Sequence, residues 1–356
     1  NTRPTIFLLS RNNNNFIDET FESIYKMDKE GKLPTPLKAF FGRNKTRNGS
    51  SKEVNLIVFN KNKINIDQMR VIYNSMINRV TYVKGPPGTG KTETIFNVLL
   101  SAYVNEKSVL VCSNNNNPVN DIYKKMDECL SIKKPFLEEK EKIIIPILRL
   151  GNNKEMGETI LKLREIINFL SKNYKTNLRD DLTEMSKDRS LSNFNELKKL
   201  LIEYETQINL KERLETLKKI KTLTTIKQIN VKLEEQILSY ENKIVKSNEI
   251  KDEEILKYAV SASEDKAFQN FIYYSSLSKL RKLLNGNYKE LIDIINESNL
   301  NDGIIAFNKW LRNDINLKHL LLVFPIILCT NQSCYKLGTP NPHFDLVIMD
   351  EAGQCN

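Results

Sequence analysis

Residues 85–92 read Gly85-Pro86-Pro87-Gly88-Thr89-Gly90-Lys91-Thr92, and two adjacent carboxylates, Asp350 and Glu351, stand far downstream. The first segment has the spacing Gly-x-x-x-x-Gly-Lys-[Ser/Thr] of a phosphate-binding loop. Such a loop must bring backbone N–H groups close to phosphate oxygens, and glycine permits both the approach and the unusual dihedral angles. Lys91 adds a positive charge for the β- and γ-phosphates, and the Thr92 hydroxyl can ligate Mg2+. A helix starting at this point turns its N-terminus toward the anion. The acidic pair closes the apolar run Leu346-Val347-Ile348-Met349. Its two carboxylates suit two tasks: Asp350 to hold the metal and Glu351 to activate the attacking water. The chemistry read from these residues is hydrolysis of a nucleoside triphosphate, with ATP and Mg2+ at one site.

The elements around the motifs must position them. Residues 66–77 read as a helix, 80–83 as a strand feeding the glycine loop, and 93–104 as the helix after it. Residues 108–112 read as a strand, 118–130 as a helix and 143–148 as a strand. Strands alternating with helices predict an α/β fold with a parallel sheet covered on both faces. The strand pattern returns at 321–324, 326–328 and 346–349. The chain therefore divides into an upstream accessory segment at 1–60, an ATP-binding domain at 61–151 and 321–356, and an all-helical insertion at 152–320. In the upstream segment, 5–9 and 54–59 read as strands, with loops at 12–15 and 43–52.

Within the insertion, Phe194, Leu197, Leu201, Tyr204 and Ile208 recur at 3-4-3-4 spacing, as do Ile226, Ile229, Leu233, Ile237, Tyr240 and Ile244 with small deviations. Each stripe is a coiled-coil seam of about two heptads. Thr224-Thr225 between them can hold the turn of an antiparallel hairpin; the alternative is a plain helix-bundle core. Phe268, Phe271, Leu277, Leu280, Ile304, Phe307 and Trp310 are further core candidates. Because the stripes can bury one another, the insertion reads as separable from the sheet. Its lysines, such as Lys198, Lys199, Lys218, Lys219 and Lys221, alternate with glutamates, the pattern of a solvated face. The insertion is expected to guide a strand or a protein partner and to supply no catalytic group.

The chain has 356 residues and a formal net charge of +10, carried by 54 basic and 44 acidic side chains. This excess suits an anionic partner such as nucleic acid. None of the five cysteines forms a Cys-x-x-Cys pair, and only two histidines could join them, which argues against zinc and for reduced thiols. No apolar run reaches the ~18 residues of a membrane span, and no signal peptide is evident. The expectation is a cytoplasmic protein with no membrane partner. A start at Asn1 and an end shortly after Gln354 read as a segment of something longer.

Gln68, in Ile64-Asn65-Ile66-Asp67-Gln68, stands shortly before the glycine loop. With it the sequence resembles superfamily 1 helicases, in which a glutamine at this distance reads adenine; its amide offers a donor and an acceptor to the base edge. Residues 109–114 followed by Asn117-Pro118-Val119-Asn120 resemble helicase motif Ia, and 327–330 resemble the short motif before the acidic pair. Asp-Glu-Ala-x-Gln at 350–354, the proline-rich loop and the insertion resemble the branch that includes the nonsense-mediated-decay helicase and bacterial AAA-family ATPases.

The resemblance implies a RecA-like P-loop fold with a large helical, partly coiled-coil insertion. It also implies single-stranded DNA or RNA contacting Ser113, Asn114 and Thr330, and a γ-phosphate-sensing Gln354. A second RecA-like domain, carrying the arginines for hydrolysis, is expected in the full-length chain. Turnover and strand separation then belong to that full-length protein, and the segment alone is expected to be inactive. A chromosome-organising ATPase would need a Leu-Ser-Gly-Gly signature before the acidic pair, and 331–344 contain none. A non-motor module, in which ATP switches a contact through the insertion, is the remaining alternative.

Overall fold

A computed structural model describes residues 14–42, 57–59, 64–86, 88–129, 145–172, 187–245, 250–261 and 266–354. The strand expected at 5–9 and the loop at 43–52 lie outside them, as does Pro87. Two helices, α1 (Asn14–Lys29) and α2 (Thr35–Phe40), precede the short β1 (Val58–Phe59). α3 (Ile66–Ile77) leads toward the glycine loop, and α4 (Lys91–Val104) follows it. Then come β2 (Val109–Ser113), α5 (Asn116–Cys129) and β3 (Ile147–Arg149). The insertion holds α6 (Asn153–Lys172), α7 (Lys187–Leu223), α8 (Lys227–Val245), α9 (Asp252–Leu256), β4 (Val260–Ser261) and α10 (Lys266–Arg281). It continues through α11 (Lys289–Ile295), α12 (Leu300–Leu311) and α13 (Asp314–Val323). β5 (Ile326–Thr330) and β6 (Leu346–Asp350) return the chain to the sheet.

The main sheet has four strands in the order β3-β5-β2-β6, all parallel. Each crossover must span the sheet, so helices cover its faces and its inner strands are apolar throughout. All of β2 is buried, and β5 is buried up to Thr330. Alternation sends side chains to two cores. Val109, Val111, Ile326 and Leu328 join Phe96, Leu99 and Ile122 of α4 and α5 on one side. Leu110, Leu148 and Ile327 join Leu163, Phe307, Trp310 and Leu320 of α6, α12 and α13 on the other. Asp345 fixes the start of β6, its carboxylate accepting the Ser108 N–H and hydroxyl at 2.9 and 2.8 Å.

Three expectations need correction. Residues 80–83 are extended but belong to no strand, and Tyr82 is 84% exposed. A strand exists only with a ladder partner, and this segment has none among the described residues; instead the Thr81 hydroxyl donates to the Asn74 carbonyl at 3.0 Å. Residues 321–323 finish α13 rather than forming a strand. Leu317, Leu320 and Val323 share one buried helical face, and Asn313 caps the N-terminus by accepting from the Ile315 and Asn316 N–H groups. Asn14 and Asn15, expected in a loop, begin α1, while β1, within the run expected as a strand at 54–59, pairs in parallel with β4 of the insertion. Ser101 of α4 clamps it, its hydroxyl donating to the Val58 carbonyl and accepting the Val58 N–H.

The hairpin is present, with its turn at 224–226. Ion pairs Lys218–Glu241 and Lys221–Glu234 run in opposite chain directions and so make α7 and α8 antiparallel. The two stripes nevertheless have different partners. Phe194, Leu197 and Leu201 enter the core shared with α3 and α4, and the Phe194 ring lies 5.9 Å from that of Tyr73. Of α8 only Leu233 is buried, and at the turn Leu223 and Ile226 are 83% and 57% exposed. The insertion does not keep its core to itself: α6, α12 and α13 pack on the sheet face that carries Leu110, Leu148 and Ile327, and leave Val347 and Met349 of β6 exposed on it.

Candidate nucleotide site and the adjoining sheet edge

The glycine loop folds on itself by its own backbone. Gly88 and Gly90 take φ of +83° and +78°. L side chains avoid this region, so both positions call for glycine. Gly90 caps α4, and Lys91 is the first residue of that helix. The helix N-terminus thus opens into the loop, the arrangement that favours bound anions. Lys91 Nζ donates to the Gly85 carbonyl at 3.2 Å, spanning the loop mouth. The Thr89 hydroxyl donates to the Pro86 carbonyl at 2.9 Å. Thr92 follows, half-buried in the first turn of α4.

Gln68 reaches this loop from α3. It completes a capping box, its backbone N–H donating to Asn65 Oδ1 while its Oε1 accepts the Asn65 N–H. Its Nε2 donates to the Thr89 carbonyl at 3.1 Å. The helix at 66–77 was expected, but neither the capping box at its start nor the bond to Thr89 was read from the sequence; the latter crosses between elements.

The acidic pair closes β6. Asp350 accepts the Glu351 N–H at 3.0 Å, and Glu351 itself has φ of +54°. A left-handed non-glycine residue stores strain, and such strain concentrates where geometry serves function. It turns the chain sharply out of the strand into the 3-10 turn Ala352–Gln354. No hydrogen bond or ion pair joins Asp350 or Glu351 to the glycine loop among the described residues.

The sheet edge brings other residues together. In register, Ser113 at the end of β2 pairs with Asp350 on one side and Thr330 on the other. Ligands of parallel α/β sheets bind outside the carboxyl ends of strands. Asn114 is exposed and Thr330 half-buried, its hydroxyl 3.0 Å from Ser333 Oγ. Ser113 differs from expectation: it is fully buried, and its hydroxyl has no hydrogen-bond partner.

A model of one protein family, described as an AAA domain, matches residues 63–356. The chain belongs to this family. It is the domain of the superfamily 1 helicase branch that the motifs resemble, a family of P-loop nucleoside triphosphatases of helicase-like type. No curated protein matches the chain. The match begins just before α3 and so takes in Gln68, the glycine loop, the insertion and the acidic pair. Among the described residues no helix is long and apolar enough to cross a membrane.

Two features of this AAA domain escaped the sequence reading. Arg149 ends β3 and is 5% exposed. Its Nε and Nη2 donate to Asn120 Oδ1 and Asn116 Oδ1 of α5 at 2.8 and 2.7 Å, and its Nη1 donates to the Leu150 carbonyl. Burial lowers its pKa, and Glu155 opposes that shift. An arginine closing an apolar strand, with asparagines four apart on the preceding helix, was the available signal. Lys336 is also buried and donates to the Gly151 carbonyl at 2.6 Å, tying the turn after β5 to the end of β3. In addition, Glu93 and Lys125 form an ion pair that joins the first turn of α4 to α5.

Proposed function

We propose that the chain binds ATP at the glycine loop and a single strand of DNA or RNA along the carboxyl edge of the sheet, as a motor domain of an ATP-dependent helicase or translocase. The observation carrying this reading is the left-handed pair Gly88 and Gly90 running directly into α4, with Lys91 at its first position. The loop from Gly85 through Pro86, Pro87 and Thr89 would wrap the phosphates, held by Gly88, Gly90, Lys91 and Thr92. Gln68 would read adenine; its Nε2 must then exchange the Thr89 carbonyl for the base.

Thr92 and Asp350 fit a hard cation, being a hydroxyl at a helix N-terminus and a carboxylate at a strand end. Bound magnesium would neutralise phosphate charge. Glu351 would take the proton of the attacking water, and Gln354 would sense the γ-phosphate. Asn114, exposed, and Thr330, half-buried, are the candidates for phosphate contacts with the nucleic acid, with Ser113 supporting them from beneath. The second RecA-like domain of the full-length protein would complete the catalytic site.

Titration of labelled ATP with magnesium against the chain and Lys91→Ala tests the nucleotide half; equal affinities would refute it. In the full-length protein, Glu351→Gln should retain ATP and lose turnover. Single-strand affinity should fall linearly with salt on logarithmic axes, because each phosphate contact releases counterions. Asn114→Ala and Thr330→Ala should each weaken it, and a flat salt response would refute the nucleic-acid half. A second reading, an ATP-switched protein contact, is favoured by the exposed Leu223, Ile226 and Val231 at the hairpin turn. Absence of nucleic-acid stimulation of the ATPase would select it.

A further inference from the structure

Three cysteines converge beneath the proposed nucleic-acid edge. Cys112 on β2 pairs in register with Cys329 on β5. The 3-10 turn Asn331–Lys336 then folds back, so that Cys334 Sγ stands 3.4 Å from Cys329 Sγ. Cys112 and Cys329 are buried, and Cys334 is half-exposed. Among the described residues no group of three or more His, Cys, Asp or Glu side chains could hold a metal ion, so these sulfurs are not a metal cage. A disulfide needs about 2.05 Å between sulfurs, and Cys334 sits on a short surface turn.

We propose that Cys334 is a peroxide-reactive modification site and that Cys329 resolves it as an intramolecular disulfide. Cys334 is the reachable sulfur, and hydrogen bonds from Cys112 and Cys329 favour its thiolate, lowering it to about 4. The opposing contact is the Thr330 carbonyl, 3.5 Å away, to which a Cys334 thiol can donate. Cys329 keeps its proton, pushed up by its hydrogen bond to Cys334 and by burial, against the charge of Arg149. An accessible thiolate beside a second thiol is the arrangement that oxidises reversibly.

The chemistry balances with hydrogen peroxide as oxidant. The Cys334 thiolate attacks one oxygen, the O–O bond breaks, and the hydroxide that leaves takes a proton from solvent to become water. The product is a sulfenic acid. The Cys329 sulfur then attacks the Cys334 sulfur, the S–O bond breaks, and the second water leaves with the Cys329 proton. Two thiols lose two electrons, and one peroxide becomes two waters.

The consequence for binding rests on the proposed function. Thr330 lies between the two cysteines in the chain, and its hydroxyl is 3.0 Å from that of Ser333 on the turn that would be pulled. The glycine loop stands on other elements. Oxidation should therefore weaken single-strand binding several-fold, reversibly by dithiothreitol, and leave ATP affinity unchanged.

The test treats the reduced protein with hydrogen peroxide, blocks remaining thiols with N-ethylmaleimide, and digests with trypsin. Cys329 and Cys334 fall on one peptide, residues 319–336. It should lose two hydrogens and carry no maleimide. Cys329→Ser should stop at a sulfenic acid that dimedone traps on Cys334, and Cys334→Ser should leave Cys329 a free thiol. Both cysteines alkylated after peroxide, or Cys334 linked to any other cysteine, would overturn the proposal. An unchanged oligonucleotide affinity with the disulfide formed would overturn the coupling to Thr330 alone. Absence of oligonucleotide binding in the reduced protein would instead count against the proposed function.

Discussion

Gly90→Ala offers a quantitative test of the glycine loop, because two separate costs can be read from the structure. The first is conformational. Gly90 has φ of +78°, and an L residue held there pays roughly 1–2 kcal/mol. The second is steric. A Cβ at this position would sit 2.8 Å from Gln68 Nε2, and the next atom, Glu93 Cβ, is 4.0 Å away. Gln68 must therefore move, and on the proposed function the displaced amide would lose its hydrogen bond to adenine, worth about 1 kcal/mol. Together these come to about 2–3 kcal/mol, roughly a thirtyfold to hundredfold loss of ATP affinity if the loop must hold this shape to bind.

The decisive assay is a double-mutant cycle with Gln68→Ala, measured by titration of labelled ATP with magnesium. Once the Gln68 side chain is removed, only the conformational cost remains, and Gly90→Ala should cost about 1 kcal/mol less than in the wild-type background. Additive losses would refute the argument that Gln68 and Gly90 share one contact. Unchanged affinity in Gly90→Ala alone would refute the left-handed loop as the binding conformation.

Two further predictions follow from the packing and the charges. Replacing residues 213–240 by a short Gly/Ser linker should leave unfolding cooperative and ATP affinity within about twofold, since Leu233 is the only buried residue of α8; deleting all of 152–320 should abolish cooperative unfolding, and a folded deletion would show that α6, α12 and α13 are dispensable to the sheet. Asp314 titrates below its ordinary 3.8: burial raises it, but hydrogen bonds from Thr339, the charge of His343 and a hydrogen bond from Asn341 outweigh that. A depressed carboxylate stabilises the fold above its unfolded value and loses that contribution as pH falls through the folded one, so Asp314→Asn should be less stable than wild type at pH 7, with the difference shrinking as pH falls below 3.8; a difference that persists in strong acid would point to packing.

The parts legible in the sequence were those in which backbone requirements restrict residue type. The glycine loop could be read because left-handed turns and close phosphate approach leave few alternatives to Gly88 and Gly90. α3 at 66–77 and the sheet could be read from apolar runs alternating with helical stretches. What failed was tertiary. Residues 80–83 have strand composition, but a strand needs a neighbour that composition does not supply. Leu321-Leu322-Val323 suits a strand or a helix, and only the buried face shared with Leu317 and Leu320 decides. The stripe at Phe194, Leu197 and Leu201 has the right period for a hairpin seam, yet period cannot name the partner, which is the Tyr73 side of the ATP-binding core. The burial of Ser113 and Arg149 and the meeting of Cys112, Cys329 and Cys334 depend on register between strands distant in sequence.

That register also gives the site its economy. β2 lies between the strand ending in Asp350 and the strand ending in Thr330. Neighbouring strands are about 4.8 Å apart, so the acidic pair and the proposed nucleic-acid contact are separated by about 10 Å of hydrogen-bonded sheet. A parallel ladder resists shear, and β6 is further pinned to β2 by Asp345 on Ser108. Movement of Glu351 and its strained turn therefore has two outlets. It can swing the chain beyond β6, or it can press on the end of β2, where the Ser113 hydroxyl is buried with no partner among the described residues. An unpaired buried hydroxyl costs about 1–3 kcal/mol, which a small shift of the strand end could recover by forming a new bond. This reasoning predicts that Ser113 couples the two halves of the proposed site rather than touching a ligand. Ser113→Ala should leave ATP and single-strand affinities each nearly unchanged while altering the effect of one ligand on the other; loss of single-strand affinity with that coupling intact would restore Ser113 to the surface.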